Sequence, residues 1–303
     1  MKNKVKGSIF LLSGTTIWGF AFIAQSMGME LLGPFTFQFV RCMLAVGFLI
    51  PAAFLFDGKN CGFSRSIAKW TDKKLWKTGI CCGLALFAAA SLQQIGILYT
   101  TAGKAAFITA MYIVLVPILG MFFKQKPPKT TYFSVILAVI GLYLLSAVDS
   151  GGVNAGDICL TASALAFAVQ IVCIDRLAGD LDGVRLNCIQ CFVVAVLSVP
   201  FMAATENVVI GNIWACRLPL LFAGVLSMGV AYTLQILGQK HLEPTAASLI
   251  MSLESVFAAV GGWLVLHETM SSAETVGSGL VFSAVILSQI PKKEAEEFRA
   301  ERV

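Results

Sequence analysis

The chain of 303 residues is 57% apolar and only 13% charged, with a mean hydropathy of +0.83. These values lie far outside the average for soluble globular proteins. They exclude an ordinary water-soluble enzyme, because too little polar surface exists to cover so many apolar side chains in water. The net charge of +5 does not indicate nucleic-acid binding, because the basic residues form short clusters between long uncharged runs, as in membrane-protein loops.

The uncharged runs predict ten transmembrane helices, because a bilayer core needs roughly 20 apolar residues per helix. We place them near residues 7–27, 34–56, 78–99, 102–123, 130–148, 157–175, 184–204, 216–239, 244–266 and 271–290. The fold class is therefore predicted to be an all-α polytopic membrane protein. The first run is too long for a signal-peptide core and has no small-residue cleavage site, so we expect a retained first helix.

The basic residues predict the orientation of these helices. If the N-terminus is cytoplasmic, 19 of the 22 Lys and Arg residues fall on the cytoplasmic side, where such residues accumulate. We therefore expect both termini to be cytoplasmic. The longest loop, 57–77, interleaves Trp70, Leu75 and Trp76 with lysines, and we interpret it as a solvated loop with interfacial tryptophans.

The nine cysteines do not indicate a disulfide framework. Seven of them lie in or beside apolar stretches, where we interpret them as small buried hydrophobic residues. They are Cys42, Cys81, Cys82, Cys159, Cys173, Cys188 and Cys191. Cys188-x-x-Cys191 has the spacing of metal ligands, but no second pair and no histidine lies nearby in the span, so we predict no metal site.

The chain carries an internal repeat. A shift of 142 positions aligns residues 84–146 with 226–288 without a gap, pairing Gln93 with Gln235 and Gly96 with Gly238. A shift of 149 positions pairs Cys42 with Cys191. Because each half holds five predicted helices, an odd number, the second half must enter the membrane in reversed orientation. We predict two inverted five-helix repeats, at 1–148 and 157–290, followed by a cytoplasmic tail at 291–303.

Several loose motifs lie along this chain. They are Trp18-Gly19, Arg41, the segment 99–107 leading to Pro117, Leu253-Glu254, and Leu266-His267-Glu268. With these motifs the chain resembles the EamA-like branch of the drug/metabolite transporter superfamily over almost its whole length. Family members typically have Glu-Pro in the ninth helix, where this chain has Glu254-Ser255. The resemblance implies ten helices and the export or exchange of small metabolites, and we place the multi-pass protein in the plasma (inner) membrane.

Three ionisable residues fall inside the predicted spans, where burial costs about 2.5–3.5 kcal/mol on insertion scales. Arg41 lies roughly 10 Å below the outer end of its helix at 1.5 Å per residue, and either tethers helices or contacts substrate. Glu254 lies near the midplane. A carboxylate there is a possible proton carrier, and the alternative is a packing residue. Lys104 lies a turn from the outer end and either snorkels to the surface or contacts substrate.

Uncharged polar and aromatic residues complete the set of substrate-binding candidates, although about half of them are expected only to tie helices together. They are Trp18, Gln93, Gln94, Tyr99, Tyr112, Gln170, Gln190, Tyr232 and Gln235. Gln93 and Gln235 occupy equivalent positions in the two halves. Trp18 offers an aromatic wall near the midplane.

The inverted repeat and the sparse midplane polar groups favour a secondary active transporter, an exporter or exchanger of small metabolites such as amino acids, working by alternating access. Its expected partners are the substrate and the lipid bilayer, without nucleic acid. We expect no cofactor and no ATP hydrolysis, because the chain has no Gly-x-x-x-x-Gly-Lys-Ser loop. The alternatives are a channel or non-transporting scaffold, and a membrane-embedded enzyme. The hypothesis of a membrane-embedded enzyme has little support, because His241 and His267 form no catalytic motif.

Overall fold

The computed structural model describes residues 2–57, 63–122, 129–146, 154–265 and 272–289. All regular structure within these ranges is helical. The helices, in chain order, are α1 (Lys2–Met29), α2 (Pro34–Asp57), α3 (Phe63–Ala68), α4 (Lys73–Ile97), α5 (Ala102–Ala110), α6 (Tyr112–Phe122), α7 (Lys129–Ser146), α8 (Ala155–Leu177), α9 (Gly183–Thr205), α10 (Ile210–Ala215), α11 (Arg217–Leu221), α12 (Tyr232–Gln239), α13 (Pro244–Met251), α14 (Glu254–Val265) and α15 (Ser272–Gln289). The predicted tail at 291–303 and the motif residues 266–268 lie outside the described ranges.

The described part of the chain contains eight helical segments that are long and apolar enough to cross a membrane. Three of them combine shorter helices: 102–122 contains α5 and α6, 217–239 contains α11 and α12, and 244–265 contains α13 and α14. The remaining predicted spans correspond to α7 and α15, whose apolar portions, 130–144 and 275–287, are shorter. These two helices pack against each other. The structure therefore supports eight of the ten predicted spans by length and hydropathy, and the other two stay predictions.

The two ends of the helical bundle differ in charge. We call the end at which α1, α4 and α9 begin the basic face, because it carries lysines of α1 and of the start of α4. The other end is the opposite face. At the basic face, part of the predicted loop 57–77 is helical: α3 is followed by a 3₁₀ turn (Lys69–Thr71), and α4 begins at Lys73, five residues before the predicted start.

The fourth and ninth predicted helices are each interrupted rather than continuous. The first break lies at Met111, between α5 and α6, and the second at Ser252–Leu253, between α13 and α14. Short i→i+3 hydrogen bonds replace the regular ladder at both places. The side chain of Ser252 donates to the Leu249 carbonyl oxygen at 2.8 Å, a local bond that bends helices. Met111 and Leu253 are equivalent under the shift of 142, so the two breaks are related by the repeat.

The eighth predicted span is not a uniform α-helix either. After α11 the chain forms a π-helix, Phe222–Ala231, which continues into α12. Asn187 of α9 is fully buried and donates through Nδ2 to the carbonyl oxygens of Met228 and Gly229, at 2.8 and 2.9 Å. The amide supplies hydrogen bonds to backbone groups within the widened turns, which is how irregular backbone is tolerated inside a bundle.

α2 and α9 pack antiparallel and are joined at both ends by a carboxylate. At the basic face, Asp57 at the end of α2 accepts a hydrogen bond from Nη2 of Arg185 at the start of α9, at 2.6 Å. At the opposite face, Glu206 after α9 accepts the backbone N–H groups of Phe35 and Thr36 at 2.7 and 2.8 Å. A shift of 149 positions superposes Asp57 on Glu206 and Thr36 on Arg185. The two links therefore occupy equivalent positions of the two halves.

The π-helix approaches α2 closely at Gly224. A Cβ atom at this position would lie 2.8 Å from the Arg41 carbonyl oxygen and 2.8 Å from Cβ of Leu44. Backbone and a branched side chain leave no room for even one methyl group. The position of Arg41 therefore depends on a glycine on the neighbouring segment.

We expect Gly224→Ala to lower the thermal stability of the purified protein in detergent, because overpacking of this kind costs about 1–3 kcal/mol. The matched control is Gly47→Ala on α2, where a Cβ atom would meet nothing within 4 Å. This control should melt at the same temperature or higher, since alanine is the better helix former. Equal melting temperatures for both variants would contradict close packing at Gly224.

Candidate functional site

A cavity lies inside the bundle at the level of the two helix breaks. It is bounded by α1, α2, α4, the π-helix and residues beside both breaks. Seven of the twelve predicted site residues line it: Trp18, Arg41, Gln93, Tyr112, Tyr232, Gln235 and Glu254. The spans that carry them are far apart in the sequence, so the fold brings together positions from both halves of the chain.

Arg41 is the cationic group of the cavity. Its side chain is 2% exposed, and Nη1 donates to Oε1 of Gln25 at 2.6 Å while Nη2 donates to Oε1 of Gln38 at 3.4 Å. The guanidinium carbon lies 5.6 Å from the centre of the Phe37 ring, within the range of a cation–π contact. No carboxylate of the described residues forms an ion pair with Arg41. The positive charge is thus held by neutral amides and an aromatic ring.

Glu254 is the acidic group of the cavity and is the first residue of α14, directly after the second helix break. It is buried, and its Oε1 atom has no hydrogen-bond partner within the described residues. No cation in these residues pairs with it. Its near neighbour Tyr112 follows the first break and is the equivalent residue under the shift of 142. The repeat therefore places Tyr112 in one half where Glu254 stands in the other.

Aromatic and amide groups form the remaining polar surface. Trp18 and Tyr232 meet edge to face, with ring centroids 4.9 Å apart. Nε1 of Trp18, Nε of Arg41 and Oε1 of Gln235 are buried without a hydrogen-bond partner among the described residues. A buried polar group without a partner costs about 1–3 kcal/mol. These atoms are therefore suited to bind a polar ligand that supplies the missing bonds.

The other predicted site residues lie outside the cavity lining. Lys104 forms an ion pair with Asp157 of α8 at 3.1 Å, and Tyr99 is exposed. Gln94 and Gln190 are fully buried. Gln170 is also fully buried, and its Oε1 accepts a hydrogen bond from the cavity residue Gln235 at 3.1 Å. The ion pair links α5 to α8, a contact that the sequence interpretation of Lys104 did not include.

The sequence interpretation missed eight of the lining residues. They are Phe22, Gln25, Thr109, Phe167, Ile171, Ser227, Met228 and Met251. Gln25 is the most consequential of these, because it holds Arg41. It was overlooked because it lies two residues from the predicted end of the first helix. A usable signal existed, since Trp18, Phe22 and Gln25 follow the i, i+4, i+7 spacing that places residues on one helix face.

The cavity is small, with a volume of about 40 Å³. That is room for only about three water molecules, whereas pockets that enclose small molecules measure about 300–1,000 Å³. A metabolite can therefore occupy the cavity only if the surrounding helices move apart. The interrupted helices adjoin the cavity, so they lie where such movement would be needed.

No group of three or more His, Cys, Asp or Glu side chains suited to a metal ion occurs in the described residues. Cys188 and Cys191 are both buried, and Cys191 contacts Oδ1 of Asn187 at 3.5 Å. The Cys-x-x-Cys spacing here is part of the packing between α9 and the π-helix.

Comparison with known proteins identifies the family. A model of the EamA-like transporter family matches residues 5–147 and matches again at 154–289. The chain belongs to the EamA-like transporter family. The resemblance to the drug/metabolite transporter superfamily predicted from the sequence motifs is therefore confirmed, as is a multi-pass membrane protein with a role in transport.

Relatives of known name agree with this family. An uncharacterized transporter of Archaeoglobus fulgidus is 32% identical over 272 residues, which cover 89% of this chain and 82% of that protein. The uncharacterized transporter YoaV of Bacillus subtilis is 21% identical over 94% of this chain and 97% of its own length. The threonine/homoserine exporter RhtA of Escherichia coli is 26% identical over 187 residues, covering 59% of this chain and 61% of RhtA.

The fold of this EamA-like protein also occurs in a solved crystal structure. The two chains superpose with a TM-score of 0.76, over 93% of this chain and 96% of the other, at 15% identity. A likeness at this level of identity shows a shared fold and carries no information about substrate.

Proposed function

We propose that this EamA-like protein is a secondary active transporter that exports or exchanges a small metabolite with a carboxylate group, such as an amino acid. In this proposal ten transmembrane helices form two inverted five-helix repeats in the plasma membrane, and both termini are cytoplasmic. The basic face is then the cytoplasmic face. The observation that carries the proposal is the buried guanidinium of Arg41, which faces a central cavity without a carboxylate partner among the described residues.

A buried cation without an anion is costly unless the protein or a ligand compensates it. The amides of Gln25 and Gln38 hold the guanidinium in place but carry no charge. A carboxylate of the substrate would supply the missing negative charge, and the planar guanidinium fits a carboxylate through two parallel hydrogen bonds. The amino-acid exporter among the relatives supports the same substrate class.

The helix breaks support alternating access. Interrupted helices at repeat-related positions beside a central site are a common construction of secondary transporters, because their ends expose polar backbone groups to the substrate. Here the breaks at Met111 and Ser252–Leu253 are repeat-related, and Tyr112 and Glu254 beside them line the cavity. A change of angle at either break would widen the cavity toward one face.

We expect saturable transport of at least one amino acid when the purified protein is reconstituted in proteoliposomes. The measurement is exchange of a labelled amino acid inside the vesicles for an unlabelled one outside. The same assay is run with nucleosides and with organic acids. Flux that rises in proportion to concentration without saturating would indicate a channel. Exchange of nucleosides alone would contradict recognition of a carboxylate by Arg41.

We expect Arg41→Lys to raise the apparent KM by roughly tenfold or more, because a hydrogen bond to a charged group is worth about 1.5–3 kcal/mol and lysine lacks the planar fork. Arg217→Lys makes the same chemical change at an exposed residue of the opposite face and should leave the KM unchanged. Unaltered saturation kinetics in Arg41→Lys at equal membrane abundance would assign Arg41 to helix packing.

We also propose that Glu254 couples transport to protons. An unpaired carboxylate in a dry interior is stabilised by binding a proton, and opening the cavity to water would favour its release. The two access states would thereby differ in proton affinity. The support is the burial of Glu254 and the unpartnered Oε1 atom beside the cavity.

We expect Glu254→Gln to abolish the response of transport to an imposed pH gradient while exchange of substrate continues, because the amide is fixed in a neutral form. Glu30→Gln, at an exposed carboxylate of the opposite face, is the control and should keep the full response. Gradient-driven transport that survives in Glu254→Gln would contradict proton coupling through this residue.

A further inference from the structure

A second cavity lies at the basic face, lined by the ends of α8 and α12 and the starts of α1 and α13. Its volume is about 550 Å³, within the range of pockets that enclose small molecules. We call it the vestibule. Its walls carry the basic residues Lys4 and Lys240, the acidic residues Asp175, Asp180 and Glu243, and His241. This space is more than ten times the volume of the central cavity.

The barrier between the two cavities is about one helical turn thick. On α8, Ile171 lines the central cavity and Ile174 lines the vestibule, a separation of about 4.5 Å at 1.5 Å per residue. On α12, Gln235 lines the central cavity and Gln239 the vestibule. The same two helices thus form a wall of both spaces.

Three buried glutamines lie in or beside this barrier, and we call them the glutamine layer: Gln239 at its vestibule side, and Gln235 and Gln170 at its central-cavity side. Gln239 Nε2 donates to the Ile171 carbonyl oxygen at 3.0 Å, and Gln235 Nε2 donates to Gln170 Oε1 at 3.1 Å. These two bonds join α12 to α8. The remaining atoms, Gln170 Nε2, Gln235 Oε1 and Gln239 Oε1, are buried without a partner in the described residues. Each amide therefore uses only part of its hydrogen-bonding capacity.

The corresponding barrier in the other half is different. The shift of 142 pairs Gln239 with Ile97, which belongs to a buried apolar cluster with Phe22, Ala105, Leu160 and Ala258. An apolar cluster offers a polar solute no hydrogen bonds, whereas the glutamine layer offers three unused groups. The glutamine layer thus has no counterpart at the position equivalent to Gln239 in the other half, where Ile97 lies in an apolar cluster.

We propose that the glutamine layer is the gate at the basic face, and that the vestibule holds the substrate before it passes this gate into the central cavity. The unpartnered amide atoms bind the polar groups of the substrate as the bonds between α12 and α8 break. The mixed charges of the vestibule suit a zwitterion. This inference rests on the proposed transport function, but its test does not require the substrate to be known.

The experiment measures access of water-soluble reagents to the central cavity. Ser227, a buried cavity residue, is changed to cysteine in the full chain after the nine native cysteines have been replaced. The reaction of Ser227→Cys with a membrane-impermeant methanethiosulfonate is followed in vesicles that expose either face. Adding Gln239→Ala should raise the labelling rate from the basic face by about tenfold, as expected for loss of one hydrogen bond that keeps the gate closed. Labelling from the opposite face should not change.

Gln94→Ala is the matched control, because Gln94 is equally buried and lies in neither cavity lining. It should leave both labelling rates unchanged. Gln235→Ala, which breaks the other bond of the layer, should also raise the rate from the basic face, so the proposal stays testable if Gln239→Ala does not fold.

Equal rates in the folded glutamine-layer variants and in Gln94→Ala, or an increase from the opposite face, would overturn the proposed gate. If the labelling responds as expected but no substrate is transported, the gate stands and the proposed transport function fails. If transport is saturable but labelling does not respond, the function stands and the gate lies elsewhere.

Discussion

The antiparallel contact between α2 and α9 sets the geometry on which the central cavity depends. Each helix ends in a carboxylate that binds the start of the other helix, Asp57 on Arg185 and Glu206 on the backbone of Phe35 and Thr36. A helix pair held at both ends resists sliding and splaying. Arg41 lies on α2, so the same links fix its position along the axis of the bundle. Movement that opens the cavity is therefore expected in the other helices around it rather than between α2 and α9.

The irregular helices leave backbone hydrogen-bonding groups without their usual partners inside the bilayer. Backbone groups freed at a break cannot face lipid, so breaks are tolerated where protein groups or a cavity satisfy them. The hydroxyl of Ser252 bonds within its own helix, and Asn187 bonds two carbonyl oxygens of the π-helix. These bonds allow the backbone to change direction beside the cavity. The breaks therefore lie beside the cavity because freed backbone groups can be satisfied there and not at the lipid surface.

Much of this arrangement could be predicted from the sequence, because hydropathy and charge determine where helices can cross a membrane. The repeat shifts also paired the equivalent residues of the two halves. The helix breaks were not predicted, since no proline stands after Glu254 and the serine-to-carbonyl bonds have no hydropathy signal. The ion pair of Lys104 with Asp157 was not predicted, because the sequence does not show that the two residues lie beside each other. Gln25 was missed because its role depends on a contact with another helix.

Two buried arginines on the same helix pair differ in how their positive charge is compensated. Arg185 and Arg41 are 0% and 2% exposed, so burial does not separate them. Arg185 is neutralised by Asp57 and Asp182, each at 2.6 Å, and it has little charge left to offer a ligand. Arg41 is held only by amides and a ring, so its field extends into the cavity. Because a buried, uncompensated charge is costly, an anionic group that enters the cavity gains binding energy there, which favours Arg41 as the recognition residue.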